Sequence, residues 1–127
     1  MNYNELINTA INAQKNSYSP YSGFKVGVAL FCASGKVFTG ANVENASYSL
    51  TNCAERTAFF SAIAEGERGF TAIAIIGDGN DYCYPCGSCR QVMAEFCKED
   101  FEIIAVKTKD DYKILTLKEL LPHIFKI

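Results

Sequence analysis

The segment from Phe70 to Ile76 constrains the fold most, because it is a nearly unbroken apolar run. Gly77-Asp78-Gly79 follows it directly and marks the end of a strand. A short apolar run without polar alternation is typical of a strand that is buried on both faces. Other elements must therefore cover both sides of the sheet to which this strand belongs.

Helical periodicity predicts the elements that could form these covering layers. Apolar residues recur at spacings of three and four in two segments, and Pro85 can open a third helix because its missing N–H would have no intrahelical partner there. A short terminal helix is also expected, although Pro122 can end it early. The predicted helices are Tyr3–Asn16, Cys53–Glu65, Cys86–Cys97 and Leu117–Ile124.

The remaining apolar segments predict a sheet around the central strand. Ala33-Ser34-Gly35 separates two of them and indicates a hairpin. We expect an α/β fold with three layers, α/β/α, around a five-stranded mixed sheet, with an antiparallel hairpin first and parallel strands after it. A chain of 127 residues fits a single domain, 1–127. The predicted strands are Phe24–Cys32, Lys36–Ala41, Phe70–Ile76, Phe101–Lys107 and Tyr112–Thr116.

Charge, apolar runs and cysteine content limit the partners and the cellular compartment that the sequence favours. A formal net charge of -2 with no run of Lys or Arg gives no field that would attract a long nucleic acid. The sequence has no apolar run long enough for a membrane span and no basic and apolar leader at Met1–Glu5, so we expect a cytoplasmic protein without membrane contact. In a reducing compartment, the six cysteines favour metal binding or catalysis over disulfides.

Two motifs place sulfur at predicted helix starts: Cys53-Ala54-Glu55 and Pro85-Cys86-Gly87-Ser88-Cys89. The N–H groups and dipole of a helix start stabilise thiolates, and residues three apart share a helix face, so one zinc ion could take all three sulfurs. Three protein ligands leave the fourth position open for a water whose pKa zinc lowers to about 7. Glu55 faces away from Cys53, which favours it as the general acid/base.

Other interpretations of these cysteines stay open on spacing alone. A Cys-x-x-Cys pair also occurs in structural zinc ribbons and redox pairs. Cys83 forms a second such pair with Cys86, so a closed Cys₄ site or an iron–sulfur cluster is possible, although the restricted backbone before Pro85 favours placing Cys83 off the helix. Cys32 and Cys97 are expected to be small buried residues, and His123 a surface residue.

Five sequence blocks, in order, make the chain similar to the small homotetrameric, zinc-dependent cytidine deaminases almost end to end. The two cysteine motifs alone would specify only the wider zinc deaminase superfamily, whose signature chemistry is the deamination of nucleobases. The blocks are Ser19-Pro20-Tyr21-Ser22-Gly23-Phe24, Asn42-Val43-Glu44-Asn45-Ala46, Cys53-Ala54-Glu55-Arg56-Thr57-Ala58, Pro85-Cys86-Gly87-Ser88-Cys89-Arg90-Gln91, and Leu120-Leu121-Pro122 with Phe125.

This resemblance implies the cytidine deaminase-like fold, one Zn²⁺ per subunit, and a role for each matching residue. Cytidine and deoxycytidine would be hydrolysed to uridine and deoxyuridine plus ammonia in pyrimidine salvage, by a homotetramer whose subunits share active sites. The implied roles are zinc binding by Cys53, Cys86 and Cys89; proton transfer by Glu55; ribose binding by Asn42 and Glu44; pyrimidine packing by Phe24; base contact by the Ala54 backbone; contribution to substrate binding at the subunit boundary by Tyr48 and by Phe125, which would reach into a neighbouring subunit's site; and compensation of thiolate charge by Arg56 with Gln91.

Alternatives to this function remain. A deaminase of blasticidin-like antibiotics would use the same metal site, and a closed Cys₄ site would make the chain a zinc-stabilised binding module. A nucleic-acid editor is disfavoured because the chain lacks basic character. Without the resemblance, Asn42 and Glu44 are read more simply as residues that organise their own loop.

Overall fold

The computed structural model describes residues 1–127 and contains one five-stranded sheet with the strand order β2-β1-β3-β4-β5. The apolar segment β3, Phe70–Ile76, lies at its centre with the predicted bounds. None of the helices combines the length and apolar character that crossing a bilayer requires. The elements are α1 (Tyr3–Gln14), β1 (Gly27–Cys32), β2 (Val37–Ala41), a 3₁₀ turn (Tyr48–Leu50), α2 (Ala54–Ala64), β3, α3 (Gly87–Phe96), β4 (Glu102–Thr108), β5 (Asp111–Thr116) and α4 (Leu117–Leu120).

The sheet is mixed, as expected, but only one pair of neighbouring strands is parallel. β1 pairs antiparallel with both β2 and β3, and β3 pairs parallel with β4. β5 runs antiparallel to β4, which corrects the expectation that the later strands are all parallel. The reason is that only Lys109 and Asp110 connect these two strands, and a parallel connection needs a crossover of a dozen or more residues.

Helices cover both faces of the sheet, which confirms the three-layer prediction. On one face, Leu6, Ile7 and Ala10 of α1 form a buried cluster with strand residues such as Ala74 and Ile104. On the opposite face, α2 and α3 form the larger cluster, in which the fully buried Phe59 packs its ring 5.1 Å from that of Phe70. Cys32 is also buried in the larger cluster, and the partly buried Cys97 packs against it.

Most element boundaries lie within two residues of the sequence predictions, and three of the differences have an identifiable cause. β1 begins at Gly27 rather than Phe24, because side-chain oxygens instead of a neighbouring strand accept the N–H groups of residues 24–26. The terminal helix is a single turn that ends at Leu120, since the residue before Pro122 is driven out of the helical region. Pro85 precedes the N-cap Cys86 and so lies two positions before Gly87, the first helical residue, rather than at that residue.

Two glycines allow the closest approach of helices to the sheet. A Cβ atom on Gly40 of β2 would collide with the Ala54 carbonyl oxygen and lie 2.8 Å from the Ala58 nitrogen, both in the backbone of α2. A Cβ on Gly27 of β1 would similarly meet the Ala10 carbonyl oxygen and lie 2.7 Å from Gln14 Cα in α1. Backbone atoms cannot swing away as a side-chain end can, so each helix depends on its glycine.

We therefore predict that Gly40→Ala and Gly27→Ala each lower the free energy of unfolding by about 3 kcal/mol, the upper end of the usual cost of overpacking. Only Gly40→Ala should also weaken zinc binding, because Gly40 contacts the start of the helix that follows Cys53. Urea unfolding and competitive zinc titration of both variants check this. Equal zinc affinities in the two variants would contradict it.

Candidate active site

Two helix starts bring three cysteine sulfurs together. Cys53 is the N-cap residue of α2, Cys86 is the N-cap residue of α3, and Cys89 lies in the first turn of α3. The sulfur atoms of Cys53 and Cys86 are 3.8 Å apart, and those of Cys86 and Cys89 are 3.3 Å apart. All three sulfurs lie within 4.8 Å of one another, so one ion could contact them together.

The donor set fits a zinc ion. Tetrahedral geometry with Zn–S bonds of about 2.3 Å requires sulfur pairs separated by about 3.8 Å, close to the spacing found. Cys83 is not a member of the cluster. It is half-buried, and burial raises the pKa of its thiol to about 12. The arrangement thus contains three sulfur donors, and the closed Cys₄ alternative lacks its fourth ligand.

Hydrogen bonds stabilise negative charge on the sulfurs. The Arg56 Nη2 group donates to Cys53 Sγ over 3.2 Å, and the Cys89 N–H donates to Cys86 Sγ over 3.4 Å. Hydrogen bonding from the Cys89 thiol, and then from Arg56, lowers the pKa of Cys53 to about 5. The Cys89 thiol, which faces this negative charge, has a raised pKa. A metal cation that binds the three sulfurs must displace the protons that they still carry.

Glu55 lies beside the cluster but is not part of it. Its side chain is buried, with 5% of its surface exposed, in the first turn of α2 directly after the N-cap residue Cys53 and its neighbour Ala54. Burial, assisted by the negative charge of Cys53, raises the pKa of Glu55 to about 7. A carboxyl group in this position can both accept and donate a proton near neutral pH.

A second group of predicted residues lies in the loops before β1 and after β2. The Asn42 Nδ2 group donates to the Phe24 carbonyl over 2.8 Å, and its Oδ1 accepts from the Val26 N–H over 2.9 Å. Glu44 accepts hydrogen bonds from the N–H groups of Tyr21 and Ser22 at 2.9 and 3.0 Å and from the Ser22 hydroxyl. The Ser22 hydrogen bonds hold the pKa of Glu44 below its usual value.

The hydrogen bonds of Asn42 and Glu44 organise the loop that carries Phe24. Sequence reasoning identified Asn42 and Glu44 but gave no role to Ser22, whose hydroxyl contacts Glu44 and also accepts the Phe24 N–H. The local signal was present, because a serine two residues before Phe24 in a glycine- and proline-containing turn commonly binds its own backbone.

Aromatic side chains lie exposed near these loops. Tyr48 is 77% exposed, and its ring packs edge-on against Tyr21 with centroids 6.1 Å apart. Both tyrosines line an open cavity of about 380 Å³ together with Ser22 and Glu44. Phe24 is 42% exposed, so part of its ring is available to a ligand.

The remaining predicted residues lie at the edges of the site or beyond it. Ala54 is fully buried at the start of α2, whereas Phe125 is 72% exposed in the C-terminal segment. Gln91 is exposed on α3, where its side chain makes no hydrogen bond with the three thiols. His123 is exposed, as expected, although it lies after α4 in a left-handed conformation rather than on a helix.

Comparisons with known proteins agree with the geometry. A family model described as "Cytidine and deoxycytidylate deaminase zinc-binding region" matches residues 1–105. Curated cytidine deaminases of Halalkalibacterium halodurans and Sporosarcina psychrophila are 51% and 44% identical, over 94% and 98% of this chain and 91% and 92% of their own lengths. The crystal structure of cytidine deaminase from Burkholderia pseudomallei is 49% identical, has a TM-score of 0.94, and is matched over 98% of this chain and 100% of that one.

The fold and the three-thiol site with its adjacent carboxyl group define a hydrolytic zinc deaminase. The chain belongs to the cytidine and deoxycytidylate deaminase family. Zinc is accordingly its cofactor, with a donor set of the required spacing in the region that the family model covers.

The three-sulfur site predicts different metal contents for two cysteine variants. Cys86→Ala should lose most of its zinc, because it removes one of three donors. Cys83→Ala should retain about one zinc per chain, since Cys83 lies outside the cluster. Metal analysis of both purified proteins, alongside wild type, measures this. Loss of zinc from a folded Cys83→Ala variant would show that the site is closed by four sulfurs.

Proposed function

We propose that the protein hydrolyses the exocyclic amine of cytidine and deoxycytidine, releasing ammonia and the uridine product. The observation that carries this proposal is the buried Glu55 carboxyl group beside three sulfurs that leave one tetrahedral position free. When bound, zinc supplies a water acidic enough to act as a nucleophile near neutral pH.

Glu55 moves the protons of this reaction. Its carboxylate takes one proton from the attacking water and delivers it to ring N3, and it then takes the second proton of the same water and delivers it to the departing amine. Water oxygen bonds to C4, the bond from C4 to the amine nitrogen breaks, and ammonia leaves. A pKa of about 7 suits both directions of transfer, because neither protonation state is strongly disfavoured. Arg56 offsets the excess negative charge of the thiolates through its hydrogen bond with Cys53.

Recognition of the nucleoside is proposed for the loops around β1 and β2. Glu44 and Asn42 would hydrogen-bond the ribose hydroxyls, Phe24 would pack against the pyrimidine, and the Ala54 backbone would contact the base. The open cavity beside Glu44 and Tyr48 supports this proposal, because it offers room for a small ligand. A free base would leave the carboxylate and amide without a ribose partner, which favours nucleosides over bases.

We further propose a homotetramer in which Tyr48 and Phe125 lie at the boundary between subunits. Both side chains are large and largely exposed in the isolated chain. Aromatic residues are enriched in the buried cores of protein interfaces, which favours placing these two at a subunit boundary. The active site would then be completed by a neighbouring subunit. Gln91 would have to change its side-chain conformation before it could donate a hydrogen bond to the thiolates. A cytoplasmic location stays a prediction from the sequence.

Glu55→Gln should retain zinc and lose turnover. Removing a positioned proton carrier costs about 10²- to 10⁴-fold in kcat, whereas the glutamine amide keeps nearly the same volume in the buried site. Zinc content and ammonia release from cytidine measure the two effects. Glu65→Gln is the matched control, because Glu65 lies exposed at the other end of the same helix and should behave as wild type.

A wild-type rate for the zinc-loaded Glu55→Gln variant would refute the proton-transfer role. The substrate assignment is checked in the same buffer with cytidine, deoxycytidine, cytosine and a blasticidin-type antibiotic. Faster release of ammonia from the antibiotic than from cytidine would overturn the nucleoside assignment while leaving the metal chemistry intact.

Phe125→Ala should reduce kcat/KM for cytidine at least tenfold and weaken subunit association, because truncation of an aromatic hot spot at an interface costs about 2 kcal/mol or more. Ile127→Ala, in the same exposed segment, should change neither quantity strongly. Size-exclusion chromatography with light scattering gives the mass. A fully active monomer of the wild-type protein would rule out shared active sites.

A further inference from the structure

The Phe24 ring packs against the glycine-containing loop that follows β3. A Cβ atom on Gly77 would lie 2.8 Å from Phe24 Cζ, and a Cβ on Gly79 would lie 3.5 Å from Phe24 Cε2. Atoms of real side chains almost never approach as closely as the first distance. The ring of Phe24 therefore occupies space that exists only because residue 77 has no side chain.

Asp78, between these two glycines, holds the backbone next to Phe24. Its Oδ2 accepts the Lys25 N–H over 2.8 Å, and its Oδ1 accepts from Gln14 Nε2 over 3.1 Å. The same Gln14 group donates to the Lys25 carbonyl over 2.9 Å. Both backbone polar groups of Lys25 are thus held by a carboxylate 53 residues away in sequence and by the amide that this carboxylate orients.

These contacts replace the hydrogen bonds that a neighbouring strand would make with residues 24–26. Residues 24–26 precede β1 and have no strand partner for their N–H groups, so side-chain oxygens accept all three. Ser22 and Asn42 hold the Phe24 N–H and carbonyl from one side. Asp78 is the charged group on the other side, and it approaches from the loop on which the ring rests.

We propose that Asp78 is a positioning residue for Phe24, which fixes the aromatic ring that packs against the substrate's pyrimidine. The inference rests on the proposed function, since it takes Phe24 to contact the base. Packing against the pyrimidine stabilises the bound substrate and the transition state alike, because the ring faces are present in both. Loss of Asp78 therefore raises KM and leaves kcat nearly unchanged.

The test compares three single variants at the loop. Asp78→Ala should raise KM for cytidine about fivefold with kcat within about twofold of wild type, the size expected for a lost charge-assisted hydrogen bond at an exposed site. Asp78→Asn keeps an oxygen that can accept the Lys25 N–H and should restore most of the wild-type KM. Asp81→Ala is the matched control, because Asp81 is in the same loop but contacts only the N–H of Tyr82.

A double variant separates positioning of Phe24 from a general loss of structure. In a Phe24→Ala background, adding Asp78→Ala should change KM by less than about twofold, since the ring that Asp78 positions is gone. Gly77→Ala in the wild-type background should displace the Phe24 ring and raise KM. Added to Phe24→Ala, it should likewise change KM by less than about twofold. If the KM change of each double variant equals the product of the changes in its two single variants, the proposal is overturned. A fall in kcat with unchanged KM in Asp78→Ala would also overturn it.

Amide hydrogen exchange of Lys25 provides a readout that does not depend on the substrate. The Lys25 N–H should be protected in wild type and Asp81→Ala, and at least tenfold less protected in Asp78→Ala. Unchanged protection would overturn the inference even if cytidine is the substrate. Failure of wild type to release ammonia from cytidine would instead refute the proposed function, with the Lys25 result still deciding whether Asp78 holds this backbone.

Discussion

The site depends on the concentration of negative charge where two helices begin. Three sulfurs within 4.8 Å of one another are unfavourable as thiolates unless cationic and dipolar groups surround them. The start of α3 supplies the Cys89 N–H group, Arg56 supplies a positive charge, and zinc supplies the largest compensation. The sheet contributes by fixing both helix starts on the same face, where glycine on β2 lets α2 approach closely.

The residues proposed to bind the substrate are held differently from those that bind the metal. The cysteines and Glu55 belong to helices that pack on the larger core, whereas Phe24, Asn42 and Glu44 lie on loops held by side-chain hydrogen bonds. The proposed chemistry therefore rests on helices packed on the core, and the proposed recognition on segments whose geometry is set by a few polar contacts. Changes in the loops are expected in KM because those contacts would be the same in substrate and transition state, whereas proton transfer by Glu55 would act only in the chemical step.

Much of the fold was predictable because its signals are local. The apolar run of β3 gave the central strand with correct bounds, and the two cysteine motifs were placed correctly at helix starts. The direction of β5 differs from the expected one because the two-residue connection after Thr108 is far shorter than a parallel crossover requires. The contact between Asp78 and Lys25 has no sequence signal, since it joins loops that are adjacent only in the folded chain.

X-ray absorption at the zinc edge of the purified protein tests the central claim most directly, because it counts the atoms bonded to the metal. We expect three sulfur neighbours at about 2.3 Å and one oxygen neighbour at about 2.0 Å. Four sulfur neighbours in active protein would contradict it, because the metal would then have no free position for water.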